Sequence, residues 1–273
     1  MSFRSLLFVP GNRPERFAKA AAAGADAVCI DLEDAVPPDQ KTQSREAVFG
    51  FIPPNPKGSA HMGVRFNAFA SLDGLRDILA LAESPARPDF IMLPKAQNAA
   101  QLLALMDILQ DRGTALWPVI ESAEGLKNAW DIAAVPGVAG VLFGGADYSA
   151  DVGCTMEWEA LAFARGTLAA ACARFARQLL DVPHLDVKDA EGLIASTHRA
   201  KALGFTGRAC IHPDQVAPVN ACFTPTPAEI ERAKRVIAAL DEAKGAAALL
   251  DGKLIERPVI LAAQRVLDRA GDA

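Results

Sequence analysis

The chain has 273 residues, of which 51% are hydrophobic and 22% are charged. This composition provides enough apolar side chains for a packed core and excludes an intrinsically disordered chain. The net charge of -5 and the pI near 5.5 argue against nucleic acid or an anionic membrane as the main partner. The length fits one large α/β barrel or two smaller domains.

The N-terminal segment MSFRSLLFVP contains an apolar run that is too short for a signal-peptide core or a membrane span, so we expect a cytoplasmic protein. Five cysteines are scattered along the chain without a CxxC pair. This spacing favours reduced, mostly buried thiols over zinc or redox chemistry.

Eight short apolar runs rich in β-branched and aromatic residues predict β-strands. In chain order they are LLFVP, AVCIDLED, MGVRFN, FIMLPK, LWPVIE, AGVLFGGAD, HLDV and GRACIHP. Stretches with helical spacing separate most of them, and the predicted helices include residues 15–23, 72–82, 99–110, 126–133 and 157–180. This alternation predicts parallel strands joined by right-handed helical crossovers, and eight repeats fit a closed (β/α)8 TIM barrel.

The alternative is a doubly wound open sheet, which usually carries a glycine-rich phosphate-binding turn after its first strand. The corresponding segment here, FVPGNRP, has one glycine, which favours the barrel. A further helix is predicted at residues 227–244, and the remaining tail exceeds the eight-fold unit. We therefore predict a barrel over residues 1–245 and a C-terminal lid or helical extension over residues 246–273.

Ionisable residues stand at or just after the ends of seven predicted strands, where a barrel of this kind carries its catalytic groups. They are Glu33 with Asp34, Arg65, Lys95, Glu121, Asp147, Asp186 and His212. Any one of them could be a solvated cap. Seven strand ends of this kind together predict a highly polar pocket.

Glu121 and Asp147 end consecutive predicted strands, so their carboxylates should lie side by side. Adjacent carboxylates repel each other unless a cation lies between them. Few, hard oxygen ligands suit Mg²⁺, and no His or Cys stands in register to favour zinc. The alternative is that one of the two carboxylates caps the following helix.

Two basic residues at strand ends have two interpretations each. The guanidinium of Arg65 fits a carboxylate or an oxygen that gains charge during a reaction, and it could also pair with Glu33. Lys95 could neutralise an acidic group, and a Schiff-base role is the weaker interpretation because a metal would already supply the electron sink.

A basic cluster lies at the start of the predicted first helix, formed by Arg13, Arg16 and Lys19. Basic groups oppose the helix dipole there. Such clusters are usually solvated, and the alternative is that this one binds a phosphate-bearing cofactor.

The sequence resembles the citrate lyase β-subunit-like members of the HpcH/HpaI aldolase superfamily, near the malyl-CoA and citramalyl-CoA lyases. The resemblance covers nearly the whole chain. It rests on RSLLFVPGNRPERFAKAAAAGADAVCIDLEDAVPP, VRFN, IMLPKAQ, PVIESAEGL, FGGADYSADVG, GFTGRACIHPDQVAPVN, FTPTPAEIERA and DGKLIERP.

This resemblance implies a (β/α)8 fold, a homotrimer or homohexamer, and Mg²⁺ held by Glu121 and Asp147. It implies a small acyl-thioester substrate of coenzyme A, cleaved into an acyl-CoA and a 2-oxo acid, with Arg65 contacting the substrate's oxygens. Relatives that use coenzyme A close a C-terminal segment over a neighbouring subunit and supply an acidic residue. The matching residue here is Glu256, where relatives more often have Asp, and the alternative for Glu256 is an exposed helix cap.

We accordingly predict Arg65 and Glu256 as catalytic residues. The predicted substrate-binding set is Arg65, Glu121, Glu33, Asp34 and Lys95. The predicted coenzyme A-binding set is Phe8, Arg13, Arg16, Lys19 and His212.

Several functions remain open from the sequence. The favoured one is a free-standing lyase or synthase that uses coenzyme A thioesters, such as malyl-, citramalyl- or citryl-CoA. The alternatives are a citryl-acyl-carrier-protein lyase subunit within a complex, a non-catalytic binding barrel, and a plain 2-oxo acid aldolase. The acyl group cannot be inferred from the sequence.

Overall fold

The structure is a computed structural model that describes residues 2–54, 58, 60–109, 113–242, 248–251 and 253–271. Its strands are β1 (Ser5–Pro10), β2 (Ala27–Asp31), β3 (His61–Arg65), β4 (Phe90–Leu93), β5 (Ala115–Ile120), β6 (Gly140–Phe143), β7 (Gln178–Asp181), β8 (Gly207–Cys210), β9 (Ala248–Leu250) and β10 (Lys253–Ile255). Its α-helices are α1 (Phe17–Ala21), α2 (Lys41–Phe51), α3 (Leu72–Glu83), α4 (Ala99–Leu109), α5 (Ala123–Lys127), α6 (Ala129–Ala134), α7 (Gly145–Val152), α8 (Trp158–Arg174), α9 (Ala190–Leu203), α10 (Val216–Phe223), α11 (Pro227–Glu242) and α12 (Arg257–Gly271). Short 3₁₀ helices cover Pro14–Arg16, Pro38–Gln40 and Pro213–Gln215.

Strands β1 to β8 form a closed barrel in sequence order, and β1 pairs with β8 in parallel. Every neighbouring pair in the barrel is parallel, as the helical crossovers between strands require. The predicted (β/α)8 barrel is confirmed.

The barrel interior is filled by side chains that alternate along each strand. The buried cluster inside it includes Ala27 and Cys29 of β2, and Trp117 and Val119 of β5. Successive side chains of a strand point to opposite faces, so the next residues of the same parity point inward one layer higher. That layer lies at the C-terminal ends of the strands, where barrel enzymes carry their active sites.

The seventh strand differs from the prediction. The segment HLDV at residues 184–187 is not a strand, and β7 is Gln178–Asp181, which overlaps the last three residues of the helix predicted at residues 157–180. That helix, α8, stops at Arg174, and Ala176 follows with a left-handed φ of 53°. Four strand residues after an alanine-rich helix leave almost no periodic pattern, which is why the prediction continued the helix. Asp186 is therefore not at a strand end, and Asp181 is.

The chain divides into two compact units, residues 1–220 and 221–273. The second unit has its own core, in which Ala233 and Val236 of α11 pack with Ile255 and Ala263. Thus α11, which the sequence assigned to the barrel, belongs to the C-terminal unit. The predicted boundary between residues 245 and 246 lies outside the described residues.

All five cysteines are free thiols, and four of them are buried: Cys29, Cys172, Cys210 and Cys222. This agrees with the prediction that most of the thiols are buried. In the described part of the chain, no helix combines the length and apolar character that a membrane span needs.

Gly63 allows β3 to pack beside the largest interior side chains. A Cβ at this position would lie 2.2 Å from the ring of Phe90. We expect Gly63→Ala to lower the free energy of unfolding by about 1–3 kcal/mol through overpacking. Gly166→Ala in α8, where an added Cβ meets no atom within 4 Å, should instead raise it by roughly 0.5–1 kcal/mol through helix propensity. Urea denaturation measures the free energy of unfolding of both variants. An unchanged value for Gly63→Ala would contradict the packing described.

Candidate active site

A cavity of about 300 Å³ opens at the C-terminal ends of the barrel strands. Its lining residues come from β1 to β3 and β5 to β8 and the loops that follow them. They are Phe8, Val9, Pro10, Asp31, Ala35, Arg65, Val119, Glu121, Leu142, Phe143, Gly144, Ala146, Asp147, Val182, Pro183, Leu185 and Ile211. A pocket therefore exists at the strand ends, and three of the predicted ionisable residues line it, Arg65, Glu121 and Asp147, together with Asp31.

A bidentate ion pair joins the ends of β2 and β3. Asp31 and Arg65 are partners in the parallel register, and Arg65 donates from Nε to Asp31 Oδ1 at 2.7 Å and from Nη2 to Oδ2 at 2.6 Å. Burial acts to lower the pKa of Arg65, but the hydrogen bonds and the charge of Asp31 raise it above its ordinary value. The guanidinium is therefore permanently charged and held in one orientation.

Glu33 lies on the other side of this guanidinium, as the sequence suggested. Its Oε2 is 3.0 Å from Arg65 Nη1, although the angle is not that of a hydrogen bond. Its Oε1 accepts from Lys95 Nζ at 2.7 Å. Burial raises the pKa of Glu33, and Arg65 and Lys95 oppose that rise. The exposed Asp34 adds negative charge near Glu33 and Lys95.

Lys95 contacts the site with both its backbone and its side chain. Its φ of 52° lies in the left-handed region, which is unusual for a residue with a side chain. In this conformation its N–H donates to Glu121 Oε1 at 2.6 Å while its ammonium reaches Glu33. The short ion pair with a buried carboxylate supports charge neutralisation, the first of the two interpretations of Lys95.

Glu121 follows β5 and is 4% exposed. Burial raises its pKa to about 8, and the negative charges of Glu33 and Asp147 contribute to the rise against the N–H of Lys95. Gly144 provides the room for it, since a Cβ at Gly144 would lie 2.5 Å from Glu121 Oε2. The negative charge around Glu121 therefore exceeds the positive charge that nearby cations provide.

Asp147 lies in the first turn of α7, which begins after Gly144. It is exposed and lines the same cavity as Glu121. Among the described residues, no group of three or more His, Cys, Asp or Glu side chains forms a complete metal cage. Two carboxylates with space for water and substrate are the donor set that Mg²⁺ usually takes, and the excess negative charge at Glu121 is what a divalent cation would offset. The residues therefore fit magnesium.

The residues predicted to bind coenzyme A are not gathered in the cavity. Phe8 lines it, and its ring centroid lies 5.0 Å from Arg65 Cζ. Arg13, Arg16 and Lys19 are exposed around the short first helix, outside the cavity lining. His212 caps the 3₁₀ helix that follows β8, because its Nδ1 accepts from the N–H of Asp214. The coenzyme A role of this set stays a prediction.

Glu256 belongs to the second unit and is exposed directly before α12. Its backbone carbonyl accepts from the N–H groups of Val259 at 2.9 Å and Ile260 at 3.2 Å. The residue therefore occupies the start of a helix, as the capping alternative describes, with its carboxylate exposed. Its catalytic role stays a prediction.

Sequence reasoning missed Asp31, the carboxylate that orients Arg65. The strand AVCID continues directly into LED, and the prediction took Glu33 and Asp34 as the strand-end acids. The sequence offered no clear signal, because all five residues of β2 are buried and AVCID does not alternate between polar and apolar residues. The shared parity of Asp31 with the interior residues Ala27 and Cys29 is visible only in the folded barrel.

Family models match most of the chain. The model described as HpcH/HpaI aldolase/citrate lyase matches residues 4–213, and the model described as C-C bond lyase of the TIM-barrel fold matches residues 162–271. The chain belongs to the HpcH/HpaI aldolase/citrate lyase family. This agrees with the resemblance inferred from the motifs and with the closed barrel.

Several relatives match this chain over nearly their whole length. The (3S)-malyl-CoA thioesterase of Cereibacter sphaeroides is 36% identical and covers 98% of this chain and 94% of its own. The L-malyl-CoA/β-methylmalyl-CoA lyase of the same species is 32% identical with the same coverage. The crystal structure of CitE from Mycobacterium tuberculosis in complex with magnesium, acetoacetate and coenzyme A is 35% identical, with a TM-score of 0.83 over 99% of this chain and 98% of that one.

These matches identify the chain as a carbon–carbon lyase of a coenzyme A thioester lyase family. Magnesium and coenzyme A are bound in the homologous CitE structure.

The raised pKa of Glu121 predicts that magnesium binding depends on pH. A Glu121 proton must leave before the carboxylate can act as a ligand, so Mg²⁺ affinity should rise about tenfold per pH unit up to about pH 8 and then level off. Calorimetric titration in buffers of different ionisation enthalpy measures affinity and the released proton. Glu121→Gln should weaken binding and remove the pH dependence, while Glu46→Gln on the exposed side of α2 should change neither. A pH-independent affinity in the unmodified protein would refute the assignment.

The stability of the metal-free protein depends on the protonation of Glu121 in the opposite direction to Mg²⁺ affinity. Folded Glu121 holds a proton that the unfolded chain releases, because its folded pKa is the higher one. The contribution of Glu121 to stability is therefore greatest below its ordinary pKa and is lost as the pH rises towards about 8. Glu121→Gln should flatten this part of the stability profile.

Proposed function

We propose that this protein is a magnesium-dependent lyase that cleaves, or forms, a 3-hydroxyacyl-CoA thioester carrying a carboxylate on its hydroxyl-bearing carbon. The products of cleavage are an acyl-CoA and a 2-oxo acid. The observation that carries the proposal is the convergence of a rigidly paired Arg65 with Glu121 and Asp147 in one cavity at the barrel mouth.

The reaction requires three kinds of assistance. The alcohol proton must leave as the carbon–carbon bond breaks, the enolate oxygen of the departing thioester must be stabilised, and its α-carbon must receive a proton. Magnesium held by Glu121 and Asp147 would supply a Lewis acid that lowers the pKa of the substrate's hydroxyl group and polarises the forming carbonyl.

Arg65 meets the second requirement. Guanidinium groups have five N–H donors, and Asp31 accepts from two of those on Arg65, at Nε and Nη2. The N–H groups left on Nη1 and Nη2 can face the oxygen that develops enolate charge. Since Asp31 fixes the guanidinium before substrate arrives, little reorganisation is needed in the transition state, which is the condition for strong electrostatic stabilisation.

The remaining polar groups of the site hold the reacting groups in position and do not react themselves. Lys95 keeps Glu33 paired and orients Glu121 through its backbone N–H. Burial of Glu33 and Glu121 makes their interactions stronger than they would be in water.

An assay with malyl-, citramalyl- and citryl-CoA in the presence of Mg²⁺ tests the proposal directly. We expect an acyl-CoA and a 2-oxo acid from at least one thioester, and a loss of about 100- to 1,000-fold in turnover on Arg65→Ala. Release of free coenzyme A with an intact hydroxy acid would instead show thioester hydrolysis, the activity in the name of the (3S)-malyl-CoA thioesterase. Arg87→Ala, which removes a half-buried arginine before β4 that lies outside the cavity lining, serves as the matched control and should leave turnover unchanged.

Glu256 is proposed as the acid/base at the thioester α-carbon, brought by the C-terminal unit of a neighbouring subunit in a homo-oligomer. The family resemblance and the exposed carboxylate support this role. Glu256→Gln should slow acetyl-CoA α-proton exchange by about 100- to 10,000-fold with substrate binding retained. Glu231→Gln, an exposed glutamate on α11, is the control.

Mixing Glu256→Gln with Arg65→Ala subunits tests the shared site. Mixed oligomers should regain activity, because some sites would combine an intact barrel with an intact C-terminal unit. Normal exchange by Glu256→Gln would assign Glu256 to helix capping, and absence of rescue in verified mixed oligomers would show that the site is not shared.

A further inference from the structure

Two neighbouring segments carry the carboxylates of the proposed metal site. Glu121 lies directly after β5, and Asp147 lies in α7, which follows β6. Strands β5 and β6 pair in the barrel, and where they end the N–H of Gly144 donates to the carbonyl oxygen of Ile120 at 3.0 Å. This backbone hydrogen bond fixes the two segments relative to each other on the N-terminal side of both carboxylates.

A second hydrogen bond joins the same two segments on the C-terminal side of the carboxylates. Asp151, in the last turn of α7, accepts through Oδ2 from the backbone N–H of Ala123 at 2.8 Å. Ala123 is the first residue of α5 and follows Glu121 by two positions. The first N–H groups of a helix have no acceptor within that helix, so Asp151 supplies one from outside. Glu121 and Asp147 therefore lie between two hydrogen bonds that connect their segments.

Helix α7 transmits the position of Asp151 to Asp147. The two residues are four positions apart, so their side chains lie on the same face of the helix, about one turn from each other. Between them, Tyr148 is buried, and its ring centroid lies 5.7 Å from that of Phe143 at the end of β6. The first turn of α7 is thus held against the barrel, and its last turn is connected to the segment after β5 through Asp151.

The acidic character of Asp151 is unfavourable for α7 itself. Like charges four residues apart destabilise a helix, and a negative charge in the last turn opposes the helix dipole. The helix, GADYSADV, contains no basic residue that would offset either effect. The stability of α7 alone would therefore favour a neutral residue at this position, whereas the hydrogen bond to Ala123 accounts for a carboxylate there.

We propose that Asp151 is a positioning residue that sets the separation of Glu121 and Asp147 in the metal site. It acts through the N–H of Ala123 and through α7, and it lies outside the cavity lining. Mg²⁺ requires nearly ideal octahedral geometry, so its affinity depends on how far apart the two carboxylates are held. The inference rests on the proposed magnesium site and adds to it a residue that does not contact the metal.

Two substitutions separate the hydrogen bond of Asp151 from its charge. Asp151→Ala removes the acceptor and should weaken Mg²⁺ affinity by about 10- to 100-fold, the usual effect of losing a partner that orients metal ligands. Asp151→Asn keeps an acceptor oxygen without the charge. It should stay within about threefold of the unmodified protein, because salt screens exposed charges. Calorimetric titration of Mg²⁺ measures these affinities. Asp107→Ala, which removes an exposed aspartate in the last turn of α4, is the matched control and should change nothing.

Two further measurements distinguish positioning from a structural role. Urea denaturation without Mg²⁺ shows whether Asp151→Ala loses affinity while its free energy of unfolding stays close to that of Asp151→Asn, as we expect. Amide hydrogen exchange reports on the hydrogen bond itself. The Ala123 amide should exchange more slowly in the unmodified protein and in Asp151→Asn than in Asp151→Ala, and adding Mg²⁺ should not remove this protection.

Equal losses of Mg²⁺ affinity in Asp151→Ala and Asp151→Asn would overturn the proposal, because they would assign the effect to charge. Faster exchange of the Ala123 amide on adding Mg²⁺ would overturn it as well, by showing that Asp151 turns to the metal. If Glu121→Gln weakens Mg²⁺ binding and Asp151→Ala does not, the metal site stands and the positioning role is refuted. Unchanged affinity in both variants would refute the proposed metal site itself.

Discussion

The bidentate pair between Asp31 and Arg65 is the interaction on which the geometry of the site depends. It joins two neighbouring strands at register partners and lies at the base of the cavity. Two parallel hydrogen bonds fix the plane of the guanidinium as well as its position. Breaking such a pair would leave a buried charge without its partner, so the fold and the site share one constraint.

This pair also determines how charge is distributed over the other groups. Because Arg65 is largely neutralised by Asp31, the buried Glu33 relies on Lys95 for its closest ion pair. Lys95 in turn gives Glu121 a backbone N–H but not its ammonium, so Glu121 remains without a dedicated cation. The high pKa of Glu121 is a consequence of this arrangement, and a divalent ion beside Asp147 is the natural way to complete it.

Sequence reasoning recovered the barrel because eight apolar runs and their helical connections are repetitive and long enough to be recognised. It placed Arg65 and Glu121 at the cavity for the same reason, since each ends a strand with a clear pattern. It failed where the pattern is short, as in β7, whose four residues follow α8 after a single turn. It also missed Asp31, because strand composition alone does not show which residues of a strand point inward.

The apolar part of the cavity lining could not be predicted for a related reason. Val182 and Ile211 have the composition of ordinary core residues, and their place in the lining depends on where β7 and β8 end. A closed barrel brings together residues from strands that are distant in sequence, so the set of residues that line one cavity is a property of topology. Polar residues at strand ends can therefore indicate the class of reaction from sequence, whereas the apolar residues that line the same cavity become recognisable only in the folded structure.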